Sequence, residues 1–159
     1  MKKIILFILS SIICFSAVAK HHKKKLKATN DIISVAVRHT ACYGRCPNYT
    51  VEINKSGLVI FTGKQFIADT GIFEKNIDPA KAMEVISQFN TYRVDTCKDS
   101  YINRATDLPG IILTIKYNNS TKVISNANAG PYFLTTLGGL IDKAGKKTDN
   151  DGWQKVVKP

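Results

Sequence analysis

Histidine is scarce in this chain, with three among 159 residues. Two of them, His21 and His22, sit side by side in a lysine-rich segment, so the body holds only His39. Any Ser-His-Asp or Cys-His catalytic arrangement would have to be built on that single ring. Carboxylates are also few, 12 against 23 lysines and arginines. Beyond the N-terminus no apolar run approaches the about 20 residues that a membrane-spanning helix needs. No internal repeat is evident. The body has no basic stripe interleaved with aromatics, which removes the main sequence argument for nucleic-acid binding.

The N-terminus carries an address. Lys2 and Lys3 precede the apolar run Ile4 to Phe15, and Ser16-Ala17-Val18-Ala19 supplies the small residues of an Ala-x-Ala cleavage site. That is the pattern of a secretory signal peptide. A lipoprotein built on Cys14 is disfavoured, because Ser11-Ile12-Ile13 places no small residue just ahead of the cysteine. The expected organisation is a signal peptide over 1–19, a basic flexible leader over 20–30, a single α+β domain over 31–147 and a C-terminal tail over 148–159. The expected location is periplasmic or secreted. The formal charge of +11 is concentrated in the signal and in Lys20, Lys23, Lys24, Lys25 and Lys27, so the body carries only a small positive excess. The leader is suited to weak contact with anionic surfaces.

Periodicity gives the fold class. Ile33, Val35 and Val37 alternate, as do Tyr49, Val51 and Ile53, and each set reads as one face of a strand. Asn54-Lys55-Ser56-Gly57 turns the second strand back into Leu58 to Thr62. Phe66 to Ile77 is read as a fourth strand. Asp78-Pro79 opens a helix with Ala82, Met83, Ile86 and Phe89 on one face. The stretch Thr91 to Gly110 is long for a plain loop and is expected to be partly structured. Ile111 to Tyr117 and Thr121 to Ser125 form a second hairpin. A second helix opens at Gly130-Pro131, with Phe133, Leu134, Leu137, Ile141 and Ala144 inward and Gly145 as its C-terminal cap. Lys143, Lys146 and Lys147 suit the negative end of its dipole, and Trp153 is placed to dock back on the body. The order β-β-β-β-α-β-β-α, in hairpins, predicts an antiparallel sheet of about six strands with both helices on one face, an α+β domain.

Three cysteines would remain after signal cleavage, so one is left over: Cys42 pairs with Cys46, or Cys97 pairs with either. Chain entropy gives about 2 kcal/mol for the short ring and about 4 kcal/mol for a long one, whereas proximity favours the short one.

The segment Cys42-Tyr43-Gly44-Arg45-Cys46-Pro47-Asn48-Tyr49 resembles the Cys-aromatic-Gly-x-Cys-Pro-x-Tyr signature of a family of exported bacterial domains known as a domain of unknown function. Thr40, Gly57, Gly71, and Asp107 with Pro109 match the weaker family features, and the resemblance runs from about Ile32 to Ala144. It implies an exported location and a fold class, but no activity. The family pattern carries both signature cysteines, which adds weight to a Cys42–Cys46 bridge with Cys97 as a free thiol. Tyr43, Arg45, Tyr49 and Asp107 are then the candidate recognition surface. The competing expectation is a thiol-redox or copper protein, with Cys42, Cys46 and His39 around Cu(I), a soft ion suited to sulfur. In envelope copper-delivery proteins of that kind a helix follows the second cysteine, whereas here a strand follows. Asp107 with Asp95 or Asp99 could form a carboxylate pair, but Asp107-Leu108-Pro109 reads more simply as a turn. The expectation is therefore an exported, non-catalytic binding or structural module without a cofactor.

Overall fold

Strict alternation along the central strands sorts apolar from polar side chains and so decides which face of the sheet is covered. In β1 (Ile32–His39), Val35 and Val37 lie on the covered face, joined by Tyr49, Val51 and Ile53 of β2 (Asn48–Asn54) and by Val59 and Phe61 of β3 (Leu58–Gln65). All are buried. The computed structural model describes residues 31–103, 108–147 and 152–157. The segments read as signal peptide and basic leader, Cys14 included, lie outside the described residues, and so does Asp107.

After β4 (Gly71–Asn76) comes helix α1 (Pro79–Thr91), then a short 3-10 turn at Val94–Thr96 and β5 (Ser100–Tyr101). The chain continues through β6 (Ile111–Tyr117), β7 (Thr121–Asn126), helix α2 (Tyr132–Gly145) and β8 (Gln154–Lys155). One sheet runs in the order β5-β7-β6-β1-β2-β3-β4-β8, antiparallel except where β5 joins β7. Both helices pack on the same face, α2 across β1, β2, β3 and β6, and α1 beside it. The other face is open, with Ser34, Glu52 and Lys116 at its centre: Ser34 Oγ donates to Glu52 Oε1 at 2.8 Å and Lys116 Nζ to the same oxygen at 2.7 Å. An antiparallel sheet solvated on one side is the arrangement that such alternation favours.

The fold is α+β, but the sheet has eight strands rather than about six. The additional ones, β5 and β8, are two residues each, too short to leave any period in the sequence, and both are edge strands. The fourth strand is also shorter than expected. It starts at Gly71, because Phe66 at φ 52° turns the chain out of extended geometry. Met83 is 46 % exposed rather than part of the buried face of α1. Asp78 caps α1 as expected, its Oδ1 accepting from the Ala80 N–H at 2.8 Å. Trp153 does return to the body, with its ring 6.0 Å from that of Phe61.

Gly145 is the last residue of α2 and has no left-handed conformation, so it is not the expected cap. Its missing side chain serves packing. A Cβ there would lie 2.6 Å from Val59 Cγ1 and 2.7 Å from Val51 Cγ1, both on fully buried residues. Gly139, six residues earlier on the exposed side of α2, is different: a Cβ added to it would meet nothing within 4 Å. Gly139→Ala is therefore expected to stabilise the protein by about 0.5–1 kcal/mol through helix propensity alone. Gly145→Ala is expected to destabilise it by about 1–3 kcal/mol through overpacking. Urea-unfolding midpoints of the two variants should move in opposite directions.

Candidate functional site

The β1–β2 connection begins where His39 and Tyr49 face each other as register partners, and everything between them projects from the end of the sheet. Cys42 and Cys46 form a disulfide across it, with their Cα atoms 5.7 Å apart. Thr40 fixes one limb: its N–H donates to the Gly110 carbonyl at 2.9 Å, and the Gly110 N–H donates to Thr40 Oγ1 at 2.9 Å. The ring so closed holds few soft dihedrals. At its tip Tyr43 is 94 % exposed. Arg45 also faces solvent and lies 5.9 Å from the centroid of Phe66, which is itself 49 % exposed on the β3–β4 turn.

Beneath the loop lies a polar cluster that ties it to α2. His39 Nε2 is 2.7 Å from Asp142 Oδ2, and the Tyr49 hydroxyl donates to Asp142 Oδ1 at 3.2 Å. An ionised carboxylate only accepts, so Nε2 carries the imidazole proton in this contact. The His39 and Tyr49 rings stack with centroids 4.4 Å apart, and Lys146 Nζ sits 5.1 Å from the Tyr49 ring. Tyr49 continues into Phe61 at 5.6 Å, and Phe61 into Phe73 at 6.4 Å, giving an aromatic row across β1 to β4. Burial, the adjacent Asp142 charge and the hydrogen bond to Asp142 together push the Tyr49 hydroxyl well above the ordinary tyrosine range. Just past the end of α2, Lys147 is buried and reaches Asp69 Oδ2 at 2.9 Å, fixing the turn that carries Phe66. A lysine expected merely to complement the helix dipole is thus a structural cation.

The residues nominated from sequence separate into two groups. Tyr43 and Arg45 stand together at the exposed tip. Tyr49 is only 3 % exposed, so it supports that surface from below instead of forming part of it. Its place in the Tyr49-Val51-Ile53 alternation already assigned it to the covered face. Cys97 is a free, half-buried thiol away from the loop, and its carbonyl accepts from Lys122 Nζ at 2.6 Å. Asp95 binds Arg93 at 3.1 Å, which holds its carboxyl below the usual range, and Asp99 binds Lys122; Asp107, the expected partner of either, lies outside the described residues. Sequence reasoning missed Asp142, and it gave Lys146 only a part in the helix dipole. His39 and Asp142 are 103 positions apart, and no spacing in the sequence connects them.

A family profile for a domain of unknown function (DUF6438) matches residues 33–145. The chain belongs to that family. Within this DUF6438 domain the matched span runs from β1 to the end of α2, and so contains the cystine loop with His39, Tyr49 and Asp142 beneath it. No curated protein matches the chain.

In this DUF6438 domain the bridged sulfurs are bonded to each other and His39 Nε2 is bound to Asp142. A copper site on Cys42, Cys46 and His39 would have to reduce the first and break the second. Two clefts lie elsewhere. One of about 750 Å³ runs between the helices over Val85 and Leu140 with Lys81, Glu84 and Lys143 on its rim, and one of about 600 Å³ lies beside Arg93 and Tyr117.

The raised Tyr49 pKa has a definite sign in stability. The folded state favours the neutral phenol, so this contribution is fully present below the ordinary tyrosine pKa of about 10 and is lost as pH rises beyond it. Urea midpoints measured from pH 8 to pH 11 are expected to fall in the wild type. In Tyr49→Phe that alkaline fall should be smaller, and at neutral pH the variant should be less stable by about 1.5–3 kcal/mol for a hydrogen bond to a charged group.

Proposed function

We propose that this DUF6438 domain is an exported, non-catalytic binding module of the cell envelope that engages its partner through the cystine loop. The observation that carries this reading is the position of Tyr43, almost fully exposed on a ring that is closed by Cys42–Cys46 and pinned to Gly110. A tyrosine presented to water on a stiff loop offers a large ring for a partner to cover, with a hydroxyl at its end. A preorganised loop also loses little conformational entropy on binding, and Tyr and Arg are among the side chains most enriched at binding hot spots. Export is supported by the signal-peptide pattern of residues 1–19, and the disulfide is compatible with an oxidising compartment. Periplasm and exterior both satisfy this.

The exported protein should begin at Lys20 when its N-terminus is read by mass spectrometry. Labelled protein should bind isolated envelope saturably, and Tyr43→Ala with Arg45→Ala should weaken that binding by about thirty-fold, the equivalent of about 2 kcal/mol for a pair of hot-spot side chains. Both substitutions are on the exposed loop, so the melting temperature should not change. Unchanged envelope binding would remove the loop from the account.

A further inference from the structure

The charge around the cystine loop is one-sided. Among the described residues, Arg38, Arg45 and Lys64 are exposed at this end of the sheet, and Lys146, just past the end of α2, stands over Tyr49 there. The described carboxylates nearest the loop are already committed: Asp142 to His39, and Asp69 to the buried Lys147. The cations are therefore left without local compensation. Beside these cations two aromatic side chains are exposed: Tyr43, 94 % exposed, and Phe66, 49 % exposed with Arg45 over its ring. Phe66 is held there in the left-handed region, at φ 52°, where a bulky residue is rarely found.

From this placement we infer that the cystine-loop end docks on the surface of an anionic lipid bilayer. The inference rests on the binding-module reading and names its partner. The discriminating feature is the pairing of rings with cations. A soluble polyanion would satisfy the arginines and lysines but leave Tyr43 and Phe66 in water. A bilayer interface accommodates both, with the rings among the headgroups and the cations against lipid phosphates. The loop is the part that enters. Its disulfide keeps Tyr43 projecting, and the Lys147–Asp69 pair does the same for the Phe66 turn.

Co-sedimentation of the full exported chain with phosphatidylglycerol/phosphatidylcholine vesicles, and with phosphatidylcholine alone, tests this. Binding is expected only to the anionic vesicles. Arg45→Ala with Lys64→Ala should weaken it about fivefold per cation removed. Lys55→Ala with Lys81→Ala, which removes the same charge at the far end of the sheet, should leave it unchanged. Tyr43→Ala with Phe66→Asn should abolish the fraction of binding that survives high salt; asparagine tolerates the left-handed backbone at position 66. Equal loss in the two lysine/arginine pairs would overturn the inference, since the attraction would then be diffuse charge. Binding to soluble polyphosphate but not to vesicles would also overturn it. Saturable binding to envelope without binding to pure lipid would reject the lipid partner while leaving the binding-module reading standing; loss of both would reject both.

Discussion

The Asp142 carboxylate is the contact on which the rest of the loop end depends. It is supplied by α2, yet both of its oxygens are occupied by the β1–β2 hairpin, one by His39 and one by Tyr49. Those two residues are register partners, so a single side chain clamps the last pair of the ladder before the chain leaves the sheet. Asp142 is four residues before Lys146, whose ammonium lies over the Tyr49 ring, and five before Lys147, which fixes the β3–β4 turn. The C-terminal end of α2 therefore holds both projecting loops in place. Its close approach to β2 and β3 is possible because Gly145 has no side chain. Removing the aspartate would leave two partly buried donors without their acceptor, a loss larger than that of an exposed ion pair.

Two kinds of rigidity meet at the loop. The disulfide acts mainly by restricting the unfolded chain, a modest effect for so short a ring. The hydrogen bonds from Thr40 and Gly110, and the Asp142 clamp, act in the folded state by fixing how the ring sits on the sheet. Neither alone positions Tyr43. The bridge gives the loop its shape, and the clamp gives it its direction.

Much of the fold was legible from sequence because the covered face is written in strict alternation. Val35 and Val37, and Val51 and Ile53, were each read as one face of a strand, and all four are buried. The edge strands were not legible: Ser100–Tyr101 and Gln154–Lys155 are two residues each and carry no period. The loop was conspicuous by composition, and its cystine partners were close enough in sequence to be nominated. The direction of Tyr49 was legible as well, from the same alternation that gave β2, but its nearness in sequence to Tyr43 and Arg45 pointed the other way. Asp142 was not legible at all. It looked like an ordinary polar residue on a helix whose apolar positions were its only sequence signal, and the pairing with His39 exists only once α2 is laid across the sheet.

Amide hydrogen exchange of Asp142→Ala against the wild type, with the disulfide intact, tests the clamp most directly. The account predicts faster exchange at Thr40 and Gly110, whose N–H groups fasten the loop, and at the β2–β3 ladder beside Tyr49, while the Ser34–Asn54 end of the β1–β2 ladder keeps its protection. Unchanged exchange at Thr40 and Gly110 would contradict it, showing that the disulfide and its neighbours hold the loop without help from α2.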